Sequence, residues 1–180
     1  AFQYAIQIGA DVITSSLSWK WPSRPDYSQF RIITDMSLAT GTAQVNSTSN
    51  DGNGNGFPLN ISTAGNCPPP WLHPDQLRRG GIGGVLGTAN ITVSSNTINS
   101  SSPWGPATWG NWGLWGTYNN VIDPSHKDYM YSRVAPVEVP DSMGLLKPDI
   151  ASPGEGTTAC YVSSGTGYGS AFGGTSSATP

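Results

Sequence analysis

Apolar residues recur at Phe2, Ala5, Ile6 and Ile8, close to helical spacing, and Gly9 stands where such a helix would stop. The stretch DVITSSLSW, Asp11 to Trp19, reads as a short buried strand running into a polar loop. A turn-rich connection, WKWPSRPD, leads to a second helical pattern from Tyr27 to Gly41. There Phe30, Ile33, Met36 or Ser37, and Leu38 share one side, and Gly41 is the stop. TAQVNSTSN reads as a second strand despite its polar residues, and Gly80 to Val93 (GGIGGVLGTANITV) as a third. LLKPDIASPG reads as a further short strand closed by a proline turn. Helix, strand, helix, strand is the rhythm of an α/β fold on a parallel sheet. On that layout SSLS and STSN lie at the carboxyl ends of neighbouring strands, where ligands of such sheets collect.

The remainder carries no regular period. Asp51 to Pro70 is loop, NSSSPWGPATWGNWGLWG is rich in Trp and Gly, and 117–143 reads as irregular. The expected organisation is one domain over 1–180 with an irregular Trp/Gly-rich insertion around 107–143. Both ends fall inside structured patterns, so the chain is expected to be a piece of a larger domain, poorly soluble by itself because sheet edges are left open.

Composition narrows the function. Seven Trp, seven Tyr and the apolar runs supply core material, which excludes a disordered chain. A net charge of −3 and a pI near 5.1 exclude the basic face of a nucleic-acid binder. No apolar run is long enough to span a bilayer. Low lysine content and many small polar residues suit a secreted, extracellular protein. Cys67 and Cys160 could form one disulfide in an oxidising compartment, and spacing alone does not pair them. Two cysteines and two histidines, none close in sequence, make no structural zinc site.

The closing segment FGGTSSATP carries the chemistry. Its glycines let backbone crowd a substrate, and a serine at a helix start is aided by the helix dipole and by free N–H groups that can hold an oxyanion. A plain Ser/Thr helix cap is the competing reading. Two other stretches decide between them: LKPDIASPG lies shortly before the serine, and STSNDG lies far upstream at a strand end. In this order, with GADVITSSLS ahead of both, the chain resembles the subtilisin-like serine proteases. Gly174-Thr175-Ser176-Ser177-Ala178-Thr179-Pro180 matches the family's nucleophile motif, and Leu146 to Gly154 its proline-turn strand, with Ser152 where Ala is common. Ser47-Thr48-Ser49-Asn50-Asp51-Gly52 is similar to its oxyanion segment, with Ser49 where Gly is usual. Asp11 to Ser18 is similar to its substrate-binding strand, with Ser18 replacing Gly, and SSSPWGP resembles a further segment with Trp104 inserted.

The resemblance implies a three-layer α/β sandwich with a mostly parallel sheet, truncated at both ends. It implies Ser176 as nucleophile, Asn50 as oxyanion donor, Ser16, Leu17 and Ser18 pairing with substrate backbone, and Thr48 and Ser49 beside the pocket for the residue before the cut. It also implies a catalytic Asp and His on segments outside this chain, so the chain is expected to be inactive without that missing N-terminal part of its domain. His73 and His126 lack the family's catalytic context and read as surface residues. The partner is then a polypeptide substrate, with neither nucleic acid nor membrane. No metal ligand and no cofactor is assigned. DGNGNG opens like a calcium loop, but Ser62 stands at the closing position, so it reads as a Gly/Asn turn, and a structural calcium elsewhere is left open.

Two other functions fit parts of the sequence. One is a degenerate homologue that binds polypeptide without cutting, given the two replaced glycines and the missing base. The other is a carbohydrate-binding module built on Trp104, Trp109, Trp112 and Trp115, against the plainer reading of these residues as sheet cover or cleft wall. Asn46, Asn60, Asn90 and Asn99 sit in glycosylation sequons, which matter only in a eukaryotic secretory route.

Overall fold

The computed structural model describes residues 1–19, 27–52, 61–67, 84–105, 107–108, 143–145, 147–160, 165–169 and 172–180. Residues 53–56 of the turn expected at DGNGNG, both histidines, Asn60, and Trp109, Trp112 and Trp115 fall outside them. Helix α1 (Phe2–Gln7) leads to strand β1 (Val12–Ser15), helix α2 (Tyr27–Ala39) and strand β2 (Ala43–Ser47). Strand β3 (Val85–Thr92) turns into β4 (Thr97–Ile98), and β5 (Ala107–Thr108) pairs with β6 (Met143–Leu145). Strand β7 (Ile150–Glu155), the small ladder of β8 (Ala159–Cys160) with β9 (Tyr168–Gly169), and helix α3 (Thr175–Ala178) complete the order.

The main sheet is parallel across β1, β2, β3 and β7. Thr88 pairs with Ser47 of β2 and with Ile150 of β7, so those two strands take opposite edges of β3. Antiparallel β4 pairs at Ile91 and Thr92, past the end of β2. The β3–β4 turn, with Asn96 at φ 53°, forms a hairpin that the sequence pattern does not announce. The strand expected to be buried, β1, is instead an edge: only β2 pairs with it among the described residues, and Val12 stays 53% exposed.

Register sorts the side chains. Gln44, Asn46, Val85, Gly87 and Ala89 share one face, which α2 and residues 61–67 cover. Val85, Ala64 and Cys67 form the apolar centre there, with Phe30 packed against them. Between Met36 and Ser37, it is Ser37 that turns inward, fully buried with Thr34, while Met36 is 63% exposed. Small residues let the helix lie close to the sheet, and Ser37 Oγ donates back to Ile33 O at 2.9 Å, which removes its polar cost. Gly41, at φ 87°, ends α2 in the left-handed conformation that suits glycine.

Lys147 and Asp149, just before β7, form a buried ion pair in which Lys147 Nζ also donates to Val85 O at 3.0 Å. Asp149 Oδ2 accepts the Gly87 N–H at 2.6 Å. Cys67 is buried and Cys160 exposed, and no disulfide joins them. Asn46 and Asn90 are buried in strands, which removes those two sequons from glycan attachment in the folded chain.

Candidate active site

Parallel strands point their carboxyl ends one way, so the segments after them gather on one edge of the sheet. Ser16–Ser18 follow β1, Thr48–Asn50 follow β2, and Glu155 ends β7. The turn Phe172–Ser176 crosses this edge. Gly173 lies against the Glu155 carboxylate, Gly174 against the Asn50 amide, Thr175 bonds to Ser49 and Asn50, and Ser176 meets Ser16. Four consecutive residues thus pass from the end of β7 to the end of β1.

Asn50 is held by its oxygen. The Thr175 N–H donates to Asn50 Oδ1 at 2.8 Å, and Thr175 Oγ1 reaches the same atom at 3.1 Å and Ser49 O at 2.8 Å. An amide whose oxygen is occupied from within presents its NH₂ outward. The Asn50 Nδ2 and the Ser176 N–H have no partner among the described residues. Two adjacent free donors, one from a side chain and one from a helix start, are what an oxyanion requires. Gly174 permits this closeness: a Cβ there would stand 2.5 Å from Asn50 Nδ2, and its φ of 88° is one that other residues rarely adopt.

The two serines differ in what they bond. Ser176 Oγ donates to Ser16 O at 3.3 Å, and Ser16 Oγ donates to Ser176 O at 2.7 Å, so the residue is tied to the end of β1. Ser177 Oγ is 3.0 Å from Thr157 Oγ1, on the far side of the helix start.

Ser16 and Leu17 are exposed, Leu17 at 74%, and Ser18 is half-buried. Asn46 Nδ2 donates to Leu17 O at 3.1 Å, fixing the segment, while the N–H and C=O of Ser18 have no partner among the described residues. Trp19 then pairs in antiparallel fashion with Thr63. Thr48 is fully buried, its hydroxyl donated to Thr88 O at 2.8 Å, so its side chain faces the interior. Ser49 is also buried, and its Oγ accepts the Asp51 N–H at 3.2 Å. Trp104 is 56% exposed.

The replaced glycine at Ser49 has a backbone consequence, since Ser49 sits at φ 95°. Such a conformation costs a non-glycine residue about 1–3 kcal/mol. Ser49→Gly is therefore expected to stabilise the protein by about 1 kcal/mol after loss of the turn bond to Asp51, and to raise Tm by roughly 2–4 °C. A thermal melt that moves downward instead would mean that the lost turn bond outweighs the relieved backbone strain.

Sequence reasoning singled out Ser176 and Asn50 but assigned nothing to Thr175, the residue that orients Asn50. Its signal was present, a threonine between glycine and serine in the same motif. Glu155 and Thr157 were also missed, because only the tertiary fold brings them to residues 172–177.

No protein-family model and no curated protein sequence matches this chain. Solved structures do. The prenylagaramide maturation protease PagA aligns at TM-score 0.55 and 14% identity over 99% of this chain and 42% of its own. The patellamide maturation protease PatG aligns at TM-score 0.55 and 14% identity over 99% of this chain and 35% of its own. Sphericase aligns at TM-score 0.52 and 16% identity over 99% and 42%. These proteins are subtilisin-like proteases, and the chain shares their α/β fold with its mostly parallel sheet. It spans roughly two fifths of their length.

Proposed function

We propose that this chain carries the nucleophile and oxyanion site of a serine endopeptidase that cuts polypeptides through an acyl-enzyme. The observation that supports it is the pair of free donors, Asn50 Nδ2 and the Ser176 N–H, beside the Ser176 hydroxyl. On this reading Ser176 Oγ attacks the scissile carbonyl carbon, and its proton passes to a histidine outside residues 1–180, as the resemblance implies. The carbonyl oxygen becomes an oxyanion held by the two donors. When the tetrahedral intermediate collapses, the C–N bond breaks, the histidine gives its proton to the leaving amine, and an ester remains on Ser176. Water, activated by the same base, then releases the acid and restores the hydroxyl. Ser16 to Ser18 bind the substrate backbone as an added strand, with the unpaired N–H and C=O of Ser18 as the available groups. An extracellular place of action belongs to the same proposal.

The test is covalent labelling with a fluorophosphonate of the protein expressed from its complete gene, followed by peptide mapping. Label on Ser176 supports the reading. Absence of label, while a reference serine hydrolase in the same reaction reacts, overturns it. A second outcome is expected from Asn50→Ala. Loss of one oxyanion donor should lower kcat on the order of 100- to 1000-fold and leave KM nearly unchanged, because the donor acts on charge that develops only in the transition state. Steady-state kinetics on one peptide substrate checks this.

A further inference from the structure

We infer that Glu155 selects a cationic side chain in the polypeptide substrate, on the leaving-group side of the bond that is cut; this rests on the protease reading above. Glu155 ends β7, and its carboxylate packs directly on Gly173, three residues before Ser176: a Cβ at Gly173 would stand 2.7 Å from Oε2 and 3.2 Å from Oε1. The side chain is half-buried, and its oxygens have no hydrogen-bond donor and no cation among the described residues. The one lysine near β7 in sequence, Lys147, is committed to Asp149 and Val85 O. A carboxylate held at the rim of a site without a counter-charge favours a ligand that brings one.

Strand order gives the direction. On the protease reading, a peptide paired with Ser16–Ser18 has its acyl side next to the end of β1 and its scissile carbonyl at Ser176 and Asn50, and the contacts of residues 173–176 place Ser176 between Ser16 and Glu155. β7 is the opposite edge of the four parallel strands, three strand spacings away, about 14 Å at ~4.8 Å each. The turn Gly173–Ser176, three Cα steps of about 3.8 Å each, covers at most about 11 Å of that interval, and the Glu155 side chain at one end and the Ser176–Ser16 bonds at the other bridge the rest. An extended peptide advances about 3.3 Å per residue, so the first three residues after the cut cover the approach to Glu155. Gly173 contributes no side chain to shield the carboxylate, and Phe172 beside it, 51% exposed, offers an apolar wall to a long aliphatic stem. A lysine or arginine combines such a stem with the missing charge.

A plainer role for Glu155 is to complement the positive start of α3. That role affects stability and leaves substrate preference unchanged, which separates the two. The protein expressed from its complete gene is assayed with internally quenched peptides that differ only in Lys, Gln or Glu at each of the first three positions after the cut. At one of them kcat/KM for Lys is expected to exceed that for Glu by about tenfold at low ionic strength, with Gln between. The ratio should shrink with added salt and fall to about one or two in Glu155→Gln. Cleavage without charge preference at all three positions, or a preference that survives in Glu155→Gln, overturns this inference and leaves the protease reading standing. If that variant does not fold, a wild-type preference unmoved by salt has the same consequence. No cleavage and no fluorophosphonate label on the wild type overturns both.

Discussion

Peptide hydrolysis in the Ser176→Ala variant is expected to fall by about a millionfold, to the level that binding and oxyanion stabilisation alone sustain. The expectation follows from the division of labour at the helix start. Ser176 is tied to Ser16 at the end of β1, whereas Ser177 bonds Thr157. Removing the hydroxyl takes away the bond-forming atom and spares Asn50, the Ser176 N–H and Ser18, so peptide affinity should change little. Ser177→Ala is the matched control, expected to stay within about tenfold of wild type while losing about 1 kcal/mol with its hydrogen bond. Equal losses in both variants would point to disturbance of α3 rather than to a nucleophile. The experiment also addresses the binding-only alternative. In that case the wild type and Ser176→Ala would bind peptide equally and neither would hydrolyse it, a pattern that calorimetry and a cleavage assay together distinguish.

What could be read from sequence, and what could not, follows the range of the interactions involved. Helix α2 and its stop at Gly41 are encoded locally, by an apolar period and a glycine at positive φ, and both were legible. The inward face of α2 was legible only as Met36 or Ser37. Hydrophobicity favours methionine, but the close approach of helix and sheet favours the smaller residue, and packing decides. The strand character of β1 was legible, and its exposure was not, because burial depends on which strand pairs with it. At the site, Ser176 and Asn50 stand out by motif, although most of the chain lies between them. The Thr175 bond that turns the Asn50 amide outward is visible only once the two segments meet. Glu155 is an ordinary residue after a Pro-Gly turn until the fold lays Gly173 against it. Lys147 and Asp149 read as part of a proline-turn strand, and nothing in LKPDIASPG announces that both charges are interior.

That buried pair leads to the largest stability effect expected of a single substitution. Asp149→Asn takes the carboxylate away from the Lys147 ammonium, whose side chain is fully buried, and puts a neutral amide in its place beside Val85 O. Breaking a buried pair from one side typically costs about 3–5 kcal/mol, because a charge that stays buried loses its counter-charge. For a domain of this size that is a fall in Tm of roughly 6–20 °C. Replacing both partners, Lys147→Met with Asp149→Leu, removes both desolvation penalties and should recover most of the loss. Such exchanges are often neutral or stabilising by about 1–4 kcal/mol. The Gly87 N–H, which donates to Asp149 at 2.6 Å, limits the recovery, since leucine leaves it without an acceptor. The pH dependence is a second, independent readout. Burial pushes the Asp149 carboxyl above its ordinary value; the neighbouring Lys147 charge and the Gly87 N–H oppose this without cancelling it. The folded state therefore binds that proton more tightly than the unfolded state. By linkage the group's contribution to stability is fully present below the ordinary carboxylate pKa and is lost as pH rises through the raised one. Asp149→Asn has no proton to exchange, so its stability across that acidic window should lack this component. Denaturant melts of the two proteins at a series of pH values provide the test. Parallel curves would mean that Asp149 titrates alike in the folded and unfolded chains, and a component that falls with rising pH in the wild type and is missing from Asp149→Asn is the expected result.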